Sequence, residues 1–370
     1  MNKNKILSNI EELSKNTMFN LSLTSKELFH SNFWAWMIRK YPGIFACVFD
    51  LKYDPNRKFE IFRKKHHFDL CIETSDDFII IENKLKSFPN KNQLEEYGQY
   101  NTPLKKKIIL ISYFNPLFKC ENDALIYFSY KELYSKIKNC FSLANNSDFQ
   151  GNDKSIIQNY IEFLELLVEL QDNIDIAQYD KIGDIWQFVK GSDIQNNLNK
   201  INFTKTFERM VSAKLTEIVL NDFDFSNQID AIRIDCGRDL KIFSDILFYF
   251  PGAWDENKNK RKDLCYLGIS LWGNYYRYYA GLHKEQCKIF SSKQNRYDKE
   301  NKNLGFKYLS DNYSWFFNQE KLGIWNGYSY ENEMYLYKKL DISNYTIAEL
   351  SLKAHCDLGL VYHYIENFCK

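Results

Sequence analysis

The sequence is poor in arginine, which supplies nine of its 49 basic residues. Arg is the usual bidentate reader of guanine, so its scarcity speaks against a dense base-reading surface and leaves backbone contact by Lys open. No charge of one sign dominates. The 49 basic residues face 48 acidic ones, for a net charge of +1. That excludes a globally basic polyanion binder but not a locally basic groove. Nine cysteines occur without a single CxxC pair. This excludes a zinc finger or a compact disulfide framework, and most of the nine flank apolar residues, as buried thiols of a reducing cytosol do. No run of about 18 apolar residues is present, so no membrane span is expected. Met1-Asn2-Lys3-Asn4-Lys5-Ile6 opens no apolar stretch of the kind a signal peptide needs. There is no internal repeat and no long low-complexity tract. The expectation is a cytoplasmic protein without a membrane partner.

What is present is length and pattern. At 370 residues the chain is long enough for two domains with real cores. Ser25–Lys40 is apolar at Leu28, Phe29, Phe33, Trp36 and Met37, which is helical spacing; Thr24 with Glu27 reads as its capping box. Three strand-like stretches follow: Lys58–Arg63, His67–Glu73 and Phe78–Ile81. In the second, Phe68, Leu70 and Ile72 share one face and Asp69, Cys71 and Glu73 the other. Ser75-Asp76-Asp77 is the expected hairpin turn. Asn92–Tyr100 reads as a short helix, Lys107–Tyr113 and Ala124–Tyr130 as strands, and Ile156–Leu170 as an amphipathic helix. Sheet beside helical cover predicts a three-layer α/β core over residues 1–175.

The remainder reads differently. A linker is expected at 176–200, where Gly183 and Gly191-Ser192 interrupt the pattern, followed by an aromatic-rich α+β accessory domain at 201–370. That domain has a helix at Ile201–Leu220, strands at Ala231–Cys236, Ile242–Phe250, Leu264–Trp272 and Tyr275–Leu282, and a closing helix at Ala348–Phe368. Asp255–Lys262 and Glu300–Asn303 are polar stretches. In Trp272-Gly273-Asn274-Tyr275-Tyr276-Arg277-Tyr278-Tyr279, aromatics interleave with Arg. Such a pattern can stack on unpaired bases; the plainer reading is a hairpin turning at Gly273-Asn274 with its aromatics in a β core.

One constellation carries chemistry. Glu82-Asn83-Lys84 ends the Phe78–Ile81 strand, and strand alternation puts Glu82 and Lys84 on one side, about 7 Å apart. If Ser75–Asp77 is the turn, Asp69 lies opposite Glu82. Two carboxylates and an ammonium then meet at one sheet edge. Magnesium takes hard oxygen ligands, often one or two carboxylates with waters and substrate phosphate; it neutralises phosphate charge and acidifies a bound water, which a Lys can orient. The tripeptide alone says little, since Glu-Asn-Lys also occurs at 256–258 and 300–302 with no apolar strand before it. A surface salt bridge between paired strands is the plain alternative, worth roughly 0–1 kcal/mol. It does not explain why an apolar strand ends in alternating charges opposite an Asp.

Phe68-Asp69, Ile79-Ile80-Ile81-Glu82-Asn83-Lys84 and Gln93-Leu94-Glu95-Glu96-Tyr97, with the upstream helix Glu27-Leu28-Phe29-His30-Ser31, resemble the PD-(D/E)XK nuclease superfamily. The closest pattern is a bacterial subgroup with a Glu-bearing helix before the core and a Gln-x-x-x-Tyr helix after it. The resemblance covers roughly residues 25–135, with less specific similarity to about 172. It implies a restriction-endonuclease-like mixed sheet flanked by helices, Mg²⁺ or Mn²⁺ as cofactor, and cleavage of phosphodiester bonds, DNA before RNA, in defence or repair. Carried over, Asp69, Glu82 and Lys84 are catalytic. Asp69 and Glu82 hold the metal, Asn83 lends its carbonyl oxygen and Glu27 is a further candidate ligand. Gln93, Tyr97 and His30 are candidate substrate contacts. The position before Asp69 is Phe68, where the motif has Pro. Local roles compete: Glu27 in the capping box, Tyr97 packed on the sheet, His30 as a hydrogen-bonded core histidine. His66-His67 point to opposite strand faces and are not expected to share a metal. Glu73 shares Asp69's face but reads as a solvated strand end. A catalytically inactive binding module and an RNA- or nucleotide-directed phosphodiesterase remain as alternatives, and the oligomeric state is open, a dimer included.

Overall fold

The computed structural model describes residues 1–25, 27–52, 54, 58–63, 68–117, 122–224, 229, 231–236, 242–250, 265–283, 307, 309–316, 326–329 and 333–368. The chain divides into two compact units, Met1–Gln178 with Val189–Val211, and Tyr179–Phe188 with Ser212–Lys370. Both are mixed α/β.

The first unit is built on a five-stranded sheet in the order β1 (Phe59–Arg63), β2 (Leu70–Thr74), β3 (Asp77–Lys84), β4 (Lys105–Ser112), β5 (Leu125–Ser129). β1, β2 and β3 pair antiparallel, whereas β4 and β5 run parallel to β3. The tight β2–β3 turn has a local cause: Thr74 Oγ1 accepts from the amides of Asp76 (3.3 Å) and Asp77 (2.9 Å). Six of the eight β3 residues are buried, as expected of a strand covered on both faces. On one face Phe78 and Ile80 join Cys71, Ile108 and Leu110 in a core with Leu94 and Tyr97 of α5 (Lys91–Gln99). The other face carries Ile79 and Ile81, also buried, and Asn83, which meets α6 (Tyr130–Leu143).

Before and after the sheet stand α1 (Lys3–Lys15), α2 (Thr17–Ser25), α3 (Glu27–Lys40), α4 (Pro42–Val48) and α7 (Asp153–Asp172). α6 starts on a capping box: Glu132 N donates to Ser129 Oγ (3.1 Å) while Glu132 Oε2 accepts from Ser129 N (2.8 Å).

Several sequence expectations shift. Thr24 lies inside α2, not before α3, and the side chains of residues 24–27 are outside the described residues, so the capping box at Thr24–Glu27 is too. β2 begins at Leu70, with 64–67, including His66-His67, outside the described residues. Phe68 does not alternate with Leu70. It packs edge-on against Tyr97 at 4.9 Å and against Phe78 at 6.0 Å, because the extended pairing starts only after the bend at Asp69. The linker expected at 176–200 is helical: α8 (Ile182–Val189) and α9 (Ser192–Lys200) bury Ile182, Ile185, Trp186, Ile194 and Leu198. Cys47 of α4 and Cys140 of α6 are joined in a disulfide, Cα atoms 6.0 Å apart, a pair that the reading of most cysteines as buried thiols did not foresee. Cys71 and Cys265 are buried thiols and Cys356 an exposed one.

The second unit has a six-stranded antiparallel sheet in the order β10 (Asn326–Ser329), β11 (Glu333–Asp341), β9 (Tyr275–His283), β8 (Cys265–Trp272), β7 (Ile242–Phe250), β6 (Ala231–Cys236). β8 and β9 form the hairpin at Gly273-Asn274; Gly273 takes φ +59°, the first-position requirement of a type II′ turn. One face, with Ile246, Leu267, Ile269, Tyr276, Tyr278 and Ala280, is apolar and packs against the helix Ile347–Phe368, where Tyr276 OH donates to Asp357 (2.6 Å) and Lys353 donates to Tyr278 (2.6 Å). The opposite face is aromatic. Tyr266 lies across Gly281, where a Cβ would come within 2.0 Å of its ring. The polar stretches at 255–262 and 300–303, and with them the other two Glu-Asn-Lys copies, lie outside the described residues.

Candidate active site

β3 continues through Lys84, so the alternation that separates Glu82 and Lys84 from Asn83 is real backbone geometry. Glu82 is 1% exposed. A carboxylate so enclosed needs partners, and it has three. Lys84 Nζ lies 2.7 Å from Oε1, Gln93 Nε2 donates to Oε1 at 3.1 Å, and the Tyr97 hydroxyl donates to Oε2 at 2.9 Å. Gln93 Nε2 also reaches the Tyr97 oxygen at 2.5 Å, a contact that i,i+4 spacing on α5 makes available. The β3–α5 connection thus delivers both α5 residues to the end of the strand.

Asp69 is half-buried at the bend before β2. The hairpin ladder ends at Leu70 opposite Ile81, so Asp69 stands one residue beyond the last pair, on the bend, and its link to the site is electrostatic. Tyr97 gives an electrostatic measure of the convergence. Its phenol is held well above its ordinary pKa, first by burial, then by the charge of Glu82 and the hydrogen bond to it, with a smaller push from Asp69. Tyr97 therefore stays protonated and acts as a donor.

Two further side chains, those of Asn83 and His30, meet Tyr130 behind the sheet. The Asn83 side chain is on the opposite face, where its amide donates to Tyr130 OH (3.1 Å) and its oxygen accepts from the same hydroxyl (3.2 Å). His30 is there too, fully buried between Tyr160 OH at 2.9 Å and Tyr130 OH at 3.4 Å. Burial, with a lesser contribution from the charge of Lys86, lowers its pKa to about 3, so the ring is neutral. His30 is 0% exposed and presents no surface to a substrate. Tyr130 went unread in the sequence; it stands 47 residues from Asn83 and no local pattern links them. Glu73 pairs with Phe78, four residues before Glu82, roughly 13 Å down the strand at ~3.3 Å per residue. The Glu27 side chain lies outside the described residues.

The donor set suits an open magnesium site. No group of three or more His, Cys, Asp or Glu able to hold an ion occurs among the described residues, which excludes a closed, all-protein cage there. Magnesium asks less, one or two carboxylates completed by water and phosphate. An ionised carboxylate has about four acceptor positions, so Glu82, with three donors placed, retains room for one more partner beside Asp69. No helix among the described residues is long and apolar enough to cross a membrane. No protein-family model, curated protein or solved structure matches this chain.

Proposed function

We propose that the first unit is a metal-dependent nuclease of the PD-(D/E)XK type acting on DNA. The observation that carries this reading is Glu82: a buried carboxylate at the end of a central strand, held by Lys84, Gln93 and Tyr97, with the charge of Asp69 felt at the same Tyr97 hydroxyl. Burying such a carboxylate on a strand with no task for it is costly. Asp69 and Glu82 would hold Mg²⁺ or Mn²⁺, which when bound neutralises phosphate charge and makes a water more acidic. Tyr97 and Gln93 fix the rotamer of Glu82, so its oxygens are aimed before substrate arrives. An ammonium has three donors, and Lys84 uses the geometry of β3 to serve Glu82 and a phosphate or water oxygen from the same place. Hydrolysis forms one P–O bond to water and breaks another, the proton ending on the leaving oxygen.

The test is a Mg²⁺ and Mn²⁺ titration with plasmid, single-stranded DNA and RNA, for wild type, Asp69→Asn, Glu82→Gln and Lys84→Ala. Each substitution is expected to reduce cleavage by about a hundredfold or more, measured below the melting transition of each variant, since Lys84→Ala also takes a partner from the buried Glu82. Cleavage by Lys84→Ala at the wild-type rate would sink the mechanism. Preference for RNA would keep the site and change the substrate.

A further inference from the structure

The aromatic face of the second unit carries a row of polar residues that the proposed nuclease chemistry does not use. The register sets Arg233 opposite Asp245, Asp245 opposite Ser270, Ser270 opposite Arg277 and Arg277 opposite Lys339. Asp245, 3% exposed, is engaged by Arg233 at 2.9 Å. That leaves the row with an excess of positive charge.

Each of its cations leans on an aromatic ring. Arg233 lies 6.0 Å from the centre of Phe243 and Lys339 4.8 Å from Tyr275. Arg277 is sandwiched, 3.2 Å from Trp272 and 4.3 Å from Tyr337. It is 8% exposed, its Nε has no hydrogen-bond acceptor, and no ion pair to it is found among the described residues. Ser270, directly across the strand pair and 1% exposed, likewise has a hydroxyl without a hydrogen-bond partner among the described residues. Stacking on rings recovers only part of what a guanidinium loses on leaving water. A purely structural residue between Trp272 and Tyr337 would do better neutral. A planar donor fork clamped between two rings beside an unused hydroxyl is preorganised for an anion.

We infer that Arg277 and Ser270 form a receptor for the phosphate of a nucleotide, free or within a single strand. The neighbouring rings select a nucleotide over a bare carboxylate. Trp272 and Tyr275, paired in register one row away and both half-exposed, offer aromatic surface beside Arg277 on which a base could stack. The row's charge favours the polyanion and makes binding salt-dependent. This inference does not rest on the Glu82 reading, since it concerns binding in the other unit.

The experiment uses the full chain in chelator, so that no cleavage intervenes. Tryptophan fluorescence and anisotropy follow titration with inorganic phosphate, adenosine monophosphate and a labelled single-stranded oligonucleotide, for wild type, Arg277→Gln, Arg277→Lys and Ser270→Ala. Wild type is expected to bind a nucleotide probe, with Arg277→Gln weaker by about tenfold or more and Ser270→Ala by about two- to tenfold. Arg277→Lys falls between, because it keeps charge and loses the fork. Binding of the oligonucleotide alone assigns a strand; equal binding of the mononucleotide assigns a free nucleotide. Both support the receptor. No binding of any probe by wild type overturns it. Wild-type affinity in the folded Arg277 and Ser270 variants does the same; if Arg277→Gln does not fold, Arg277→Lys and Ser270→Ala decide.

Discussion

At the scale of single residues, burial separates side chains that the sequence could only place together. Glu82 and His30 are both enclosed, yet one is a carboxyl group facing three donors and the other a neutral ring between two tyrosines. The difference has a pH signature. His30 has a folded pKa of about 3, lowered by burial and by Lys86, against an unfolded value near 6.5. Below the unfolded value the denatured chain binds a proton that the native chain does not, so stability is intact above about pH 6.5 and falls as pH drops toward the folded pKa. Between pH 6.5 and 5, where most carboxylates are still ionised, the expected loss is about 2 kcal/mol. Thermal melting across that window should show it, and His30→Gln should flatten the slope whatever it does to the melting temperature itself. An unchanged slope in the variant would mean that another group titrates. Alternation made Glu82 and Lys84 legible as neighbours in the sequence. It could not reveal that Tyr97 and Gln93 close on Glu82 from α5, since that depends on how the helix returns to the sheet. For the same reason the alternation argument failed at Phe68, where a bend, invisible to periodicity, turns the ring toward Tyr97.

At the scale of elements, the strands of the first sheet were readable because alternation in the first two, a continuous apolar run in the third and the polar turn between them agree; the turn is shorter than expected, since Asp77 already belongs to β3. α1 was not read, although it buries Ile6, Ile10 and Leu13; only four apolar positions, Leu7 with those three, stand among Lys, Asn, Ser and Glu, too sparse a stripe to separate from a polar loop. The least legible link is the one between α4 and α6. Cys47 and Cys140 are 93 residues apart, and nothing in their spacing announces a bond. Such a cross-link acts largely on the unfolded chain, by closing a long loop. Under non-reducing conditions, peptide mapping should recover Cys47 joined to Cys140, while Cys356, exposed, takes up an alkylating reagent. Adding reductant, or Cys47→Ser, should lower stability by about 2–5 kcal/mol. The pairing is wrong if reductant and the substitution both leave the melting curve where it was. Because α6 also carries Tyr130, which meets Asn83 on β3, the bond anchors the layer behind the strand that bears Glu82.

At the scale of the whole molecule, composition bounded the chain at two domains but could not locate the seam, because the units are interleaved in sequence. A short helical segment, Tyr179–Phe188, belongs to the second unit, and the chain then returns to the first for Val189–Val211. Glycines at 183 and 191 looked like linker punctuation; Gly183 instead sits where Ser343 O approaches within 2.7 Å of a would-be Cβ, a packing reason within the second unit. The interleaving has a stability consequence. In the first unit Phe203 meets Phe19 at a ring distance of 5.7 Å, and Ile194, Leu198, Ile201, Phe203 and Phe207 are all buried. Each such side chain contributes about 1.5–3 kcal/mol when fully removed from water. A chain truncated after Asp175, at the boundary that composition suggests, forfeits all five, whereas one truncated after Val211 keeps them. Circular dichroism melting should therefore find the shorter chain unfolded or melting many degrees below the longer one, with any nuclease activity following the fold. Equal melting of the two would remove Val189–Val211 from the core of the first unit. It would also return the seam to the place where the glycines put it.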